Sequence, residues 1–224
     1  MSKLTVGVIL SGCGVYDGAE IHEAVITMLA LDRAGVTIRC MAPNVQQMHV
    51  VNHLTGEMPA SESRNVLVEA ARIARGKIED LATVSIESLD ALILPGGFGA
   101  AKNLCDFAVK GADCTVHADV ARVVRGVHAA KKPIGAICIA PALIAKLLGD
   151  EKPHVTIGSD KKTAEAIEQM GACHKACGVE GTVVDAKHKL VTTPAYMLAN
   201  SISEAAAGIE KLVGEVVAMA RAAS

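Results

Sequence analysis

Four short apolar runs constrain this chain more than any other feature. Residues 4–10 (LTVGVIL), 36–42 (VTIRCMA), 90–94 (DALIL) and 133–137 (PIGAI) are rich in Val, Ile and Leu. Glycine- or proline-bearing loops close the first three, and the fourth runs into Cys138. Helical patterns lie between them. Residues 19–34 carry Ile21, Val25, Met28, Leu29 and Leu31 at helical spacing and end at Gly35. Residues 61–75 read as an amphipathic helix with Glu62, Arg64, Glu69 and Arg72 on its wet side. Two helices fill 100–130, and another follows Cys138 to about Leu148. Residues 49–52 (HVVN) read as a short extra strand. Residues 154–157, 182–186 and 190–193 read as strands, the last two joined by a turn at 187–189, and an Ala-rich helix runs from Tyr196 to the C-terminus. Strands alternating with helices predict an α/β fold: a doubly wound, mostly parallel sheet flanked by helices, flavodoxin-like, with residues 1–224 as a single domain.

Composition removes several classes of function. Hydrophobic residues make up 51% and charged residues 21%, which excludes whole-chain disorder. Aromatics are 2% and the net charge is −2, so base stacking and a basic nucleic-acid surface have little to work with. The most apolar stretch, 134–148, is broken by Pro141 and Lys146 and is too short to span a bilayer. No nucleic acid and no membrane is therefore the expectation. Seven cysteines sit at 13, 40, 105, 114, 138, 173 and 177, and Met1-Ser2-Lys3 leads straight into the first strand without a cleavage site. An odd, irregular set of this kind predicts reduced thiols in a cytoplasmic setting.

In doubly wound sheets, ligands bind beyond the carboxyl ends of the strands, where strand order reverses. That rule selects residues 11–18, residues 95–99 and the turn at Cys138. Cys138 sits between an apolar strand and a helix with Pro141 in its first turn, the nucleophile-elbow arrangement. A helix N-terminus lowers a thiol pKa, which predicts a partly exposed, readily ionised Cys138; a buried core cysteine is the other reading of the same run. Gly97 can present a backbone N–H that forms an oxyanion hole with that of Ile139, or belong to an ordinary βα loop. Glu20 suits a helix dipole. Glu23, one turn on, can lean toward the sheet end, where an apolar cleft raises a carboxyl pKa. His49 and His53 read as surface residues, and Cys173, His174 and Cys177 supply three soft ligands without a fourth. No metal is expected. Cys13 reads as a pocket wall or redox partner, and Tyr196 as a pocket or packing residue.

Five segments together resemble the ThiJ/PfpI superfamily, a branch of the class I glutamine-amidotransferase-like fold, and within it the isoprenoid-biosynthesis glyoxalase-like branch. They are VILSGCGVYDGAEIHEA (8–24), HLTGE (53–57), LPGGFGAAKNL (94–104), AICIAPALI (136–144) and VTTPAYMLA (191–199). The resemblance implies Cys138 as nucleophile, Glu23 as its hydrogen-bonded carboxyl, and the amides of Gly97 and Ile139 as the oxyanion hole. Many relatives place a His about twenty residues beyond the cysteine; Gly158 stands there in this chain. No His is followed two residues later by Glu, which weighs against glutamine amidotransfer. The activity so implied is a cofactor-free glyoxalase converting a small 2-oxoaldehyde (glyoxal to glycolate), slow for want of the His, with apparent protein deglycation as the same chemistry seen indirectly. A non-catalytic redox-sensing or chaperone-like regulator that oxidises Cys138 is the alternative. The resemblance also implies a homodimer.

Overall fold

The computed structural model describes residues 3–223, so the reading of Met1 and Ser2 as leaderless, and the final Ser224, lie outside it. The main sheet contains β1 (Thr5–Ile9), β2 (Thr37–Ala42), β3 (Ile78–Asp80), β4 (Ala91–Leu94) and β5 (Ile134–Ile137). A separate two-stranded ribbon pairs β6 (His154–Val155) with β7 (Cys173–His174), and β8 (Val183–Asp185) and β9 (Leu190–Thr193) complete the main sheet. Its strand order is β3-β2-β1-β4-β5-β9-β8, parallel throughout except for the β8–β9 hairpin. The doubly wound α/β reading is correct.

The eight helices are α1 (Ile21–Arg33), α2 (Val66–Ile73), α3 (Phe98–Lys102), α4 (Phe107–Lys110), α5 (Ala118–Ala129), α6 (Pro141–Leu148), α7 (Lys161–Gln169) and α8 (Ile202–Ala223), counted among the described residues. Strand alternation divides their packing into two cores. Leu92 and Leu94 of β4 join Val123, Val127, Leu143 and Ile144 from α5 and α6 on one face. Ala91 and Ile93 join Ala24, Leu31, Ile209 and Leu212 from α1 and α8 on the other.

Several boundaries differ from those predicted. The helix expected over 61–75 begins only at Val66, because Asn65 accepts a hydrogen bond from the N–H of Val68 and caps it there. Glu69, expected in water, is buried and paired with Arg72 at 2.8 Å. The strand expected at 49–52 does not form. Its backbone is taken up locally instead: Val51 N–H donates to Asp17 Oδ2 (2.8 Å), and Asn52 N–H to Glu57 O (2.9 Å) in a turn. The edge strand β3 and helix α7 went unread, since neither carries a long apolar run.

The chain leaves β1 for β2 and β3 on one side, then returns to place β4 on the other side of β1. The order reverses between β1 and β4, so the loops after β1, β4 and β5 meet at one edge. Leu92, fully buried at the centre of that sheet, is expected to cost about 2–5 kcal/mol when replaced by Ala. Urea unfolding checks this: the midpoint should fall while the slope stays unchanged.

Candidate active site

Cys138 lies one residue beyond β5 with φ of 61°, in the left-handed region that costs a non-glycine residue roughly 1–3 kcal/mol. A backbone hydrogen bond holds it there. Its N–H donates to Thr193 O at 2.9 Å, fastening the elbow to β9, and α6 starts three residues later at Pro141. The elbow is present as the sequence predicts.

Glu23 comes from the opposite wall. Glu20 caps α1, its Oε2 accepting from the N–H of Glu23 at 2.6 Å, which matches the dipole role read for Glu20. The Glu23 side chain is fully buried. Its Oε2 accepts from Gly96 N–H (2.9 Å), its Oε1 from Tyr196 N–H (3.2 Å), and the carboxyl also hydrogen-bonds the thiol of Cys138. One carboxyl therefore joins α1, the loop after β4, the elbow and the loop after β9. Gly96 cannot carry a side chain here: a Cβ would lie 2.5 Å from Cys138 Cβ and 2.7 Å from Glu23 Oε2. Gly97 has φ of 89°, and its Cβ would collide with the backbone N of Glu20. The amides of Gly97 and Ile139 both donate to the Cys138 sulfur. All four residues expected at the site converge.

Electrostatics correct one expectation. Cys138 is only 8% exposed. Burial, and then the Glu23 carboxyl, hold its thiol well above the ordinary range, although the Gly97 and Ile139 amides pull the other way. Two N–H donors do not offset the desolvation of a thiolate in this cleft, so the readily ionised, partly exposed thiol predicted from the helix N-terminus is not what the fold builds. Burial, with the nearby Glu20, pushes Glu23 up to about 8. At neutral pH the pair therefore rests mostly as carboxylic acid beside thiol, and the first proton lost belongs to both.

The place of the third triad member is closed. Gly158 has φ of 96°, and a Cβ there would lie 2.8 Å from Leu198 Cγ. His154 is exposed on β6. The sequence reading overlooked His22, whose Nδ1 lies 2.8 Å from the hydroxyl of Tyr196, the residue whose amide holds Glu23. Adjacency to Glu23 was the available signal. His53 is exposed, as expected, and packs on Tyr16. Its Nε2 accepts from Tyr16 N–H (3.2 Å), and its ring lies 4.9 Å from that of Tyr16. Cys173 and His174 form β7, and no group of three His, Cys, Asp or Glu is placed to hold a metal among the described residues. Cys13 is partly buried in the loop after β1, its pKa raised mainly by burial. All seven cysteines are free thiols.

The profile of the DJ-1/PfpI family matches residues 13–197. The ES1 protein homolog, mitochondrial, of Rattus norvegicus is 49% identical over 96% of this chain and 84% of its own length. The human glutamine amidotransferase-like class 1 domain-containing protein 3, mitochondrial, is also 49% identical, over 95% of this chain and 82% of its own. A crystal structure of an isoprenoid biosynthesis protein with amidotransferase-like domain from Ehrlichia chaffeensis superposes with a TM-score of 0.89 at 40% identity, covering 96% of this chain and 99% of that one. The chain belongs to the DJ-1/PfpI family. The word mitochondrial in two relatives' names does not fit the cytoplasmic setting expected above. No described helix is long and apolar enough to cross a membrane.

The Glu23 pKa has a consequence for stability. The unfolded chain releases this proton near the ordinary value of 4.5, whereas the folded protein keeps it until about 8. Stability should therefore be greatest below pH 4.5 with respect to this group, and fall by on the order of a few kcal/mol as pH rises toward 8. In Glu23→Gln this part of the slope should disappear. The slope is the readout, because Gln replaces an accepting oxygen with a donor and shifts the absolute value. Chemical denaturation at several pH values between 4.5 and 8 checks it, and parallel slopes would contradict the assignment.

Proposed function

We propose that this DJ-1/PfpI protein is a cofactor-free glyoxalase that converts small 2-oxoaldehydes to hydroxy acids through Cys138. The observation that carries the reading is the buried acid–thiol pair, with two backbone amides directed at its sulfur. The thiol S–H adds across the aldehyde of glyoxal. An S–C bond forms, the C=O π bond breaks, and the thiol proton passes by way of Glu23 to the new oxygen. Once alkylated, the sulfur is a weak acceptor, which releases the Gly97 and Ile139 amides to hold that oxygen. In the minority of molecules whose Glu23 has lost its proton, the carboxylate takes the proton from the sulfur-bearing carbon and delivers one to its neighbour, giving an enediol and then a thioester of glycolic acid. Water cleaves the thioester, returning the thiol and releasing glycolate. Oxidation at one carbon balances reduction at the other, so no external redox partner is needed. Apparent deglycation of protein adducts follows from removal of free aldehyde.

A second reading rests on the 8% exposure of Cys138 and the closed space beside Gly158. Both disfavour rapid turnover and suit a thiol that peroxide slowly oxidises to a sulfinate, to which protonated Glu23 donates. The seven free cysteines support a reducing compartment under either reading.

The homodimer belongs to the same proposal. Its support is the stripe of Ile21, Val25 and Leu29, each more than 40% exposed and spaced one turn apart along α1 beside the site.

Glyoxal conversion should be lost in Cys138→Ser and fall roughly 10²–10⁴-fold in Glu23→Gln, with no dependence on added metal or nucleotide. Glycolate assay on the purified chain tests this. Absent turnover, together with sulfinate at Cys138 after limiting peroxide, would replace the glyoxalase with the regulator. Val25→Asp should convert a dimer to monomer in sedimentation, and an unchanged mass would remove α1 from the interface.

A further inference from the structure

A cavity of about 550 Å³ opens at the edge of the sheet opposite Cys138, where α5 ends and β5 and β9 begin. Arg125, Lys131, Lys187 and Lys189 line it. None of these four side chains makes an ion pair or hydrogen bond among the described residues, in a chain of net charge −2. Four unneutralised cations around one concavity repel one another, and an anion relieves that repulsion.

The second observation is a buried imidazole. His188 also lines the cavity, and its side chain is only 6% exposed. Asp185 fixes its orientation, Oδ2 lying 2.8 Å from Nδ1 while Oδ1 accepts from the His188 N–H at 3.1 Å. The other ring nitrogen, Nε2, is buried and has no hydrogen-bond partner. Glu151 is the one acid in the lining. Its Oε2 is 3.8 Å from that nitrogen, too far for a hydrogen bond, and its Oε1 is engaged by His128 at 3.0 Å. A buried polar atom left without a partner is costly, and a site with one is incomplete without a ligand or water.

We infer that this cavity binds a small molecule carrying a phosphate or diphosphate group. The multiple charge of such a group matches four cations, where a single carboxylate would neutralise one. A phosphate group, which offers acceptor oxygens and, when singly protonated, a donor hydroxyl, supplies the partner that His188 Nε2 lacks. Ala129, Leu147 and Leu148 supply an apolar wall for the remainder of the molecule. The site shares no residue with Cys138 or Glu23 and does not depend on the reaction proposed there.

Calorimetric titration of the full chain with inorganic diphosphate, at ionic strength held constant with sodium chloride, tests the inference. Saturable binding at a single site is expected, retained in Cys138→Ser. It should weaken roughly tenfold or more in the double variant Arg125→Ala/Lys187→Ala, whose side chains are exposed, and likewise in His188→Asn. Unchanged melting temperature shows that the exposed double variant stays folded, so its result stands even where His188→Asn does not fold. Absence of saturable binding at millimolar diphosphate would overturn the inference. So would equal affinity in the double variant, or citrate binding as tightly as diphosphate.

Discussion

The buried carboxyl of Glu23 is the joint on which the upper edge of this molecule depends. Three backbone segments far apart in sequence meet just past the last strand pairing: the loop after β4, the elbow after β5, which Cys138 N–H ties to Thr193 O, and the loop after β9. Glu23 supplies an acceptor or partner to each, through Gly96, Cys138 and Tyr196. A carboxyl can do so from the base of α1 because Glu20 caps that helix and fixes where its first turn points. The arrangement exacts a cost, since a group in this position is comfortable only when protonated. The same cost gives the site a proton to move at neutral pH.

Two of the six described non-glycine residues with positive φ lie in the same place. Cys138, Ala195 and Gly97 all have positive φ, at 61°, 43° and 89°. Two of these are side-chain-bearing residues that would relax elsewhere in φ/ψ space, and the surrounding sheet and the Glu23 bonds hold them. Strain and a desolvated acid–thiol pair at one sheet edge are what a preorganised reactive centre requires, whereas neither contributes to stability.

Much of this was legible in the sequence. The four apolar runs pointed to the parallel sheet because each is short, apolar and followed by a loop or turn; the turns at Gly97 and Cys138 followed from where strand ends must meet, whereas Glu23 as the thiol's partner came with the family resemblance. Asn65 was less legible, because a cap at the fifth residue of a predicted helix looks like any polar residue until its side chain is seen to accept from Val68. The strand missing at 49–52 depended on Asp17, a partner more than thirty residues away. The thiol pKa failed for a different reason. Position at a helix N-terminus can be read locally, but burial is set by everything that closes over the residue. The basic cavity was invisible for the same cause, since Arg125 and Lys187 meet only through the topology.

The contact between Gly158 and Leu198 bears on what this chain can become. A histidine at 158 would need room that Leu198 Cγ occupies, and a backbone at φ of 96° that histidine rarely adopts. No single substitution restores a Cys–His pair, because Gly158→His first meets a clash and Leu198 trimmed alone leaves a void. The two positions must change together, with the intervening backbone. A Cys–His pair at this edge therefore requires Leu198 to move and the backbone at 158 to leave its φ of 96° together.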